Sequence, residues 1–176
     1  MHTYSHAIYT WAAARFARRE ASHAAVAGAA GAALPDLPTL SKASRLLWSR
    51  RDTITKKEFL KAMEYFEEPS GRLDLTLHSL VPVGSLLVLY KALGLKDRDP
   101  HGALLFFLLG WAGHNLLDVT THAGDARPPF WPFSGWRWKS PISYWDRDSY
   151  ALQCLVVEHG AILVLALVFL YQSYRA

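Results

Sequence analysis

The hydrophobic and polar positions along the chain form a succession of apolar helical runs, punctuated by proline, glycine and charge, with almost no strand alternation. Residues 3–19 read as an alanine-rich helix whose basic residues Arg15, Arg18 and Arg19 gather at its C-terminal end, where the helix dipole favours them. Residues 21–34 read as a second helix that "LPDLP" stops, because proline cannot continue a helix. In "TKKEFLKAMEYFEEPSG", Thr55 and Glu58 stand at capping-box spacing, Phe59, Met63 and Phe66 recur at helical spacing, and Pro69 with Gly71 closes the segment. Residues 73–93 are mostly apolar, with Pro82 inside and Gly94 as the expected C-cap. Residues 101–123 form a further apolar helix, and residues 150–174 the last. Between these two runs an irregular loop carries Trp131, Trp136, Trp138 and Trp145. The expected fold class is all-α: one domain over residues 1–176, a bundle of about five main helices, with a long aromatic-rich loop before the last.

The same pattern bears on the solvent. A membrane span needs about 20 predominantly apolar residues. The uncharged stretches 80–90, 103–117 and 160–171 are shorter than that, and each reaches the length only by taking in a His, Asp, Glu or Lys. Length alone therefore leaves a soluble bundle with buried core helices open. "FWPFSGWRWK" tips the balance toward a membrane, since Trp beside Arg and Lys is typical of the bilayer interface. The "AAVAGAAGAALP" stretch after Arg15, Arg18 and Arg19 begins too late for a secretory signal and reads as part of a mature helix.

The 176 residues are 51% hydrophobic, with a net charge of +4 and a single cysteine, Cys154. An intramolecular disulfide and a cysteine-based zinc site are thereby excluded. The basic residues follow no single stripe, so no nucleic-acid partner is expected. Their concentration between Lys42 and Lys61 and in the aromatic segment suits an anionic membrane surface, and membrane lipid is the expected partner.

The chemistry lies in the polar residues set within the apolar runs. His6 is in the first helix and Asp36 in the proline turn; Asp74 and His78 stand four apart. "GHNLLDVTTHAG" carries His114, Asp118 and His122 at helical spacing, and Glu158 with His159 follows in the last helix. Ionisable groups in such helices must face one another or a polar cavity. Imidazole nitrogens and carboxylate oxygens are what zinc or a similar divalent ion requires. A single His on an apolar face is more often a hydrogen-bonded core residue, and His-x-x-x-Asp can be a local pair. Recurrence across nearly every apolar helix makes a shared metal site the better reading.

In their order, "SHAIYT", "LPDLP", "LTLHSL", "GHNLLDVTTHAG" and "FWPFS" resemble the motifs of a family of membrane-bound, metal-dependent hydrolases of prokaryotic inner membranes, of the LexA-regulated type. That family is in turn distantly similar to the all-helical zinc-dependent phospholipase C and single-strand nuclease fold. The resemblance covers about the first three quarters of the chain. It implies His6, Asp36, His78, His114 and Asp118 as metal ligands, zinc as the metal, and a phosphoester or lipid-borne ester as substrate. The chain departs from the family at Pro38, where an acidic residue is usual, and in "RLDLTLH", where a second His is usual; Asp74 stands one turn before His78 in its place. His122 and Glu158 have no family counterpart. Asp74, His122 and Glu158 are candidate catalytic groups on chemistry alone, as general base, further ligand or partner that orients a ligand. The leading expectation is a membrane-associated hydrolase with a metal-activated water. A non-catalytic membrane protein with a structural metal is the alternative, and a haem protein with His78 and His114 as axial ligands ranks below both.

Overall fold

The computed structural model describes residues 1–18, 22–50, 53–62 and 69–175. Among them are eight α-helices and no strand: α1 (Thr3–Ala17), α2 (Ser22–Ala33), α3 (Leu37–Arg50), α4 (Lys56–Ala62), α5 (Pro69–Leu77), α6 (Leu80–Ala92), α7 (Ala103–Thr121) and α8 (Ala151–Arg175). The all-α class and the irregular loop ahead of the last helix agree with the pattern of the sequence.

Three elements differ from it. "LPDLP" does not end the helical path: Leu34–Asp36 forms one 3-10 turn and α3 starts at Leu37. Pro38 falls in the first turn of α3, where a missing N–H costs no helical bond. The apolar run around Pro82 is two helices, bent by 48° at His78–Ser79. The apolar helix expected over residues 101–123 begins at Ala103 and leaves His101 outside. Around α4 the capping box forms as expected, with Thr55 N–H donating to Glu58 Oε2 at 2.9 Å and Glu58 N–H to Thr55 Oγ1 at 3.3 Å. Met63 and Phe66, expected to continue that helix, lie outside the described residues.

α7 and α8 are long and apolar enough to cross a membrane, and α5 with α6 would be a third, broken span. At a rise of about 1.5 Å per residue, the 25 residues of α8 reach about 37 Å and the 19 of α7 about 28 Å, against a hydrocarbon core of about 30 Å. The short uncharged stretches noted in the sequence are parts of these longer helices. Glu158 is the single buried residue of α8 among those described, and Leu152, Val156, Val157, Leu163 and Leu170 stand exposed. Such a surface belongs in lipid.

The bundle is organised by α2 and α7. The small residues Ala24, Ala25, Gly28, Gly31 and Ala32 form the buried stripe of α2. Against it, α7 sets Gly110, so that a Cβ there would lie 2.1 Å from Gly28 O. A Cβ on Gly31 would lie 1.9 Å from Phe107 O. In lipid, apolar side chains gain little by leaving their surroundings, and close backbone approach through small residues supplies the packing. Val83 and Tyr90 of α6 pack with Leu108 and Trp111 of α7 in an apolar cluster.

Asp99 caps α7, accepting from the Leu104 and Leu105 N–H groups at 3.3 and 3.0 Å and from the Tyr90 hydroxyl at 3.1 Å. Burial pushes its carboxyl up, but these three donors outweigh that and hold it below the usual carboxylate range.

Gly31→Ala and Gly110→Ala should each destabilise the protein by about 1–3 kcal/mol, as for an overpacked core. Gly84→Ala, where a Cβ meets nothing within 4 Å, should not. Unfolding in detergent measures this, and wild-type midpoints for both of the first two variants would refute the close contact. Asp99→Asn should weaken the cap by about 1 kcal/mol near neutral pH. The folded-state pKa of Asp99 lies below its unfolded value of about 3.9, so its contribution is complete above pH 4 and is lost as pH falls further. Wild type should therefore lose more stability than Asp99→Asn on acidification through that range, and equal losses would exclude the cap.

Candidate metal centre

The break between α5 and α6 sets the first half of the site. Ser79 is extended, and its hydroxyl accepts from Val81 N–H at 3.1 Å, so it starts α6 as an N-cap. The carbonyls released at the break are taken up from α7: Asn115 Nδ2 donates to Leu77 O at 3.0 Å and Ser79 O at 2.9 Å, and the Trp111 indole also donates to Leu77 O. His78 is held at this break, with Nδ1 donating to Asp74 O at 2.9 Å. Its Nε2 then carries the lone pair.

The α2–α7 contact sets the second half. His114 Nδ1 donates to Ala32 O at 2.7 Å, and that too leaves Nε2 as the unprotonated nitrogen. Four residues after Ala32, the 3-10 turn carries Asp36 to the same point. His114 and Asp118, one turn apart on α7, both face it.

Asp36, His78, His114 and Asp118 each place one ligand atom within 4.8 Å of all the others. Nε2 of His114 is 3.1 Å from Asp118 Oδ2 and 3.8 Å from Asp36 Oδ1. Nε2 of His78 is 3.4 Å from Asp36 Oδ1 and 3.8 Å from Asp118 Oδ2. Ligands at 2.0–2.1 Å around a tetrahedral ion are separated by about 3.3 Å, so the set is close to that geometry. Both Nε2 atoms are buried without a hydrogen bond from the protein. Two imidazole nitrogens and two carboxylate oxygens at this spacing can hold a metal ion. Burial pushes the Asp36 carboxyl up, but His78 and His114 beside it, with the Thr3 hydroxyl, hold it well below the usual range and keep it ionised.

The other expected site residues surround this group at different depths. His6 stacks on His114 with ring centroids 4.0 Å apart, and its Nε2 lies 3.1 Å from Asp118 Oδ1 in a hydrogen bond. His122 lies one residue past the end of α7 and still comes to the same group. It is the extended C-cap of α7, and reaches Asp118 Oδ2 at 3.3 Å with Nε2 and Asp125 Oδ2 at 2.8 Å with Nδ1. Burial pushes the His122 imidazole down, but these two carboxylates outweigh that and raise it. Asp74, fully buried, lies behind His78 and accepts from Thr39 Oγ1 at 2.6 Å and Arg127 Nε at 2.8 Å. Glu158 is not in the group. It accepts from the His2 N–H at 2.9 Å and meets His2 Nδ1 at 3.1 Å, while its own carbonyl accepts from the Tyr9 hydroxyl.

The aromatic loop folds back over the C-terminal end of α7. Ser140 Oγ donates to Thr120 O at 2.6 Å, Ser140 N–H to His122 O at 2.9 Å and Tyr144 N–H to Thr121 O at 3.3 Å, which satisfies carbonyls that a helix end leaves open. A crevice beside the cluster is lined by Asn115, Asp118, His122, Arg127 and Trp138. The Tyr144 ring meets His122 edge-on at 5.1 Å; burial, then the nearby carboxylates, raise its phenol and keep it protonated. Sequence reading singled out none of Thr39, Asn115, Asp125, Arg127 or Tyr144. Asn115, a polar residue next to His114 in an apolar helix, offered the one available signal.

The whole chain, residues 1–176, matches the model of a family described as YdjM inner membrane protein, and the chain belongs to that family. No curated protein and no solved structure matches it.

Removing Arg127 would take away a cation that the fully buried Asp74 carboxylate pairs with at 2.8 Å. Arg127→Ala should therefore cost about 3–5 kcal/mol, and Asp74→Asn in the same chain should recover a substantial part. A double-mutant cycle in detergent measures the coupling, and strictly additive losses would show that the pair is not held together.

Proposed function

We propose that this member of the YdjM inner membrane protein family is a metal-dependent hydrolase that cleaves a phosphoester or a lipid-borne ester at the membrane face. The observation that carries the reading is the convergence of Asp36, His78, His114 and Asp118, with both histidines turned by backbone carbonyls so that Nε2 faces the centre. The mixed imidazole and carboxylate set suits zinc. When bound, a divalent ion supplies Lewis acidity and lowers the pKa of its water to about 7.

The chain's other groups take the remaining tasks. His6 donates its Nε2 proton to Asp118 Oδ1, so it acts through Asp118, a narrower role than that of a fifth ligand. Asp74 orients His78 through its carbonyl and carries Arg127 to the crevice. His122 can hold or pass a proton at Nε2, 3.3 Å from Asp118, while Asp125 keeps its ring in place. Tyr144, protonated, is a hydrogen-bond donor at the same rim. Glu158 fastens α8 to the start of α1 and takes no part in the chemistry.

A structural metal is the second reading, favoured by the count of four protein ligands, which fills a tetrahedron. Metal analysis beside hydrolysis of a nitrophenyl phosphodiester separates the two. Wild type should hold the ion and turn over, and His114→Ala and Asp118→Ala should lose both. His122→Ala should keep the metal and slow turnover by about 10²-fold or more. Full metal retention in both His114→Ala and Asp118→Ala would overturn the assignment. A metal-loaded wild type that is inactive on esters, yet loses thermal stability on chelation, would establish the structural reading.

A further inference from the structure

A second feature lies on the opposite side of α1 from the metal centre. Ile8, Trp11 and Ala12 of α1 face Ile162, Ala166 and Phe169 of α8 across a groove of about 600 Å³. The size is within the usual range for small-molecule sites. Its lining is apolar apart from Ser173 at one end, and the Phe169 ring closes on Trp11 at 4.9 Å and on Phe16 at 5.0 Å between centroids. From Ile162 to Ser173 the α8 side runs 11 residues, or about 16 Å at helical rise.

The other end of the same α8 stripe is polar. Glu158, one turn before Ile162, is bonded to His2, and the Tyr4 hydroxyl meets His159 Nε2 at 2.8 Å. The groove thus has an apolar trough under a polar rim, and its wall is a helix long and apolar enough to cross the membrane. What meets such a wall in a bilayer is lipid hydrocarbon.

We propose that the α1–α8 groove is a binding site for one acyl chain of a bilayer phospholipid, with the headgroup at the rim formed by His2, Tyr4 and His159. The trough excludes water along the chain, and the Trp11 and Phe169 rings form part of its wall. The site is independent of the metal centre: it stands whether or not the protein is a hydrolase.

Native mass spectrometry of the detergent-purified full chain, supplied with phosphatidylglycerol, tests this. Wild type should retain one phospholipid per chain. Ala166→Phe, which fills the trough, should retain none, while Leu163→Phe, on the exposed face of the same helix, should retain one. Wild type without lipid, equal retention in Ala166→Phe, or loss in Leu163→Phe as well would overturn the proposal. A lipid-free dimer would do so too, by assigning the groove to a second copy. Should Ala166→Phe fail to fold, titration with brominated phosphatidylglycerol replaces it. Fluorescence quenching should saturate at one lipid per chain in wild type and be largely lost in Trp11→Phe. Quenching without saturation, or equal in the two proteins, would overturn it.

Discussion

The close approach of α2 to α7 at Gly28, Gly31 and Gly110 fixes the bundle and its centre together. With Gly110 set against Gly28 O and Ala32 N, there is no room for a methyl group between the two backbones. This proximity lets the Ala32 carbonyl reach His114 Nδ1 at 2.7 Å, and so decides which imidazole nitrogen looks inward. It also sets where the chain leaves α2, and the 3-10 turn that follows carries Asp36 to the same centre. A packing contact between glycines thus becomes a choice of tautomer and a ligand position.

The second constraint is the satisfaction of backbone groups where helices stop inside an apolar bundle. A break at His78–Ser79 would leave carbonyls open at a cost of about 1–3 kcal/mol each. Asn115 and Trp111 of α7 supply the donors, and the Ser79 hydroxyl and Leu80 N–H bind the Pro129 carbonyl of the aromatic loop. The loop in turn closes the end of α7 through Ser140 and Tyr144. The groups that stabilise the break also hold His78 at the centre, and those that close α7 bring His122 and Tyr144 to its edge. Around the centre, stability and site geometry rest on the same hydrogen bonds.

Much of this was legible in the residues themselves. Apolar period, proline and glycine placed most of the helices, because those signals are local. Polar residues recurring in apolar runs pointed to Asp36, His78, His114 and Asp118, since an unpaired polar group in such surroundings is costly wherever it falls. α3 was not legible, because "LPDLP" stops a helix and starts one with the same residues. The role of Arg127 was not legible either: its partner Asp74 is 53 residues away.

The all-helical class, the apolar helices, the aromatic loop and the ligand types follow from local pattern and from the cost of burying charge. The grouping came from how the helices pack. It joined four of the proposed ligands, set His6 and His122 against the two oxygens of Asp118, placed Asp74 behind His78, and paired Glu158 with His2 at the start of α1. The reason is physical: helical periodicity specifies which face a residue occupies, but not which helix that face will meet. That choice is made by the fit of small residues and by the carbonyls that each break and helix end must satisfy.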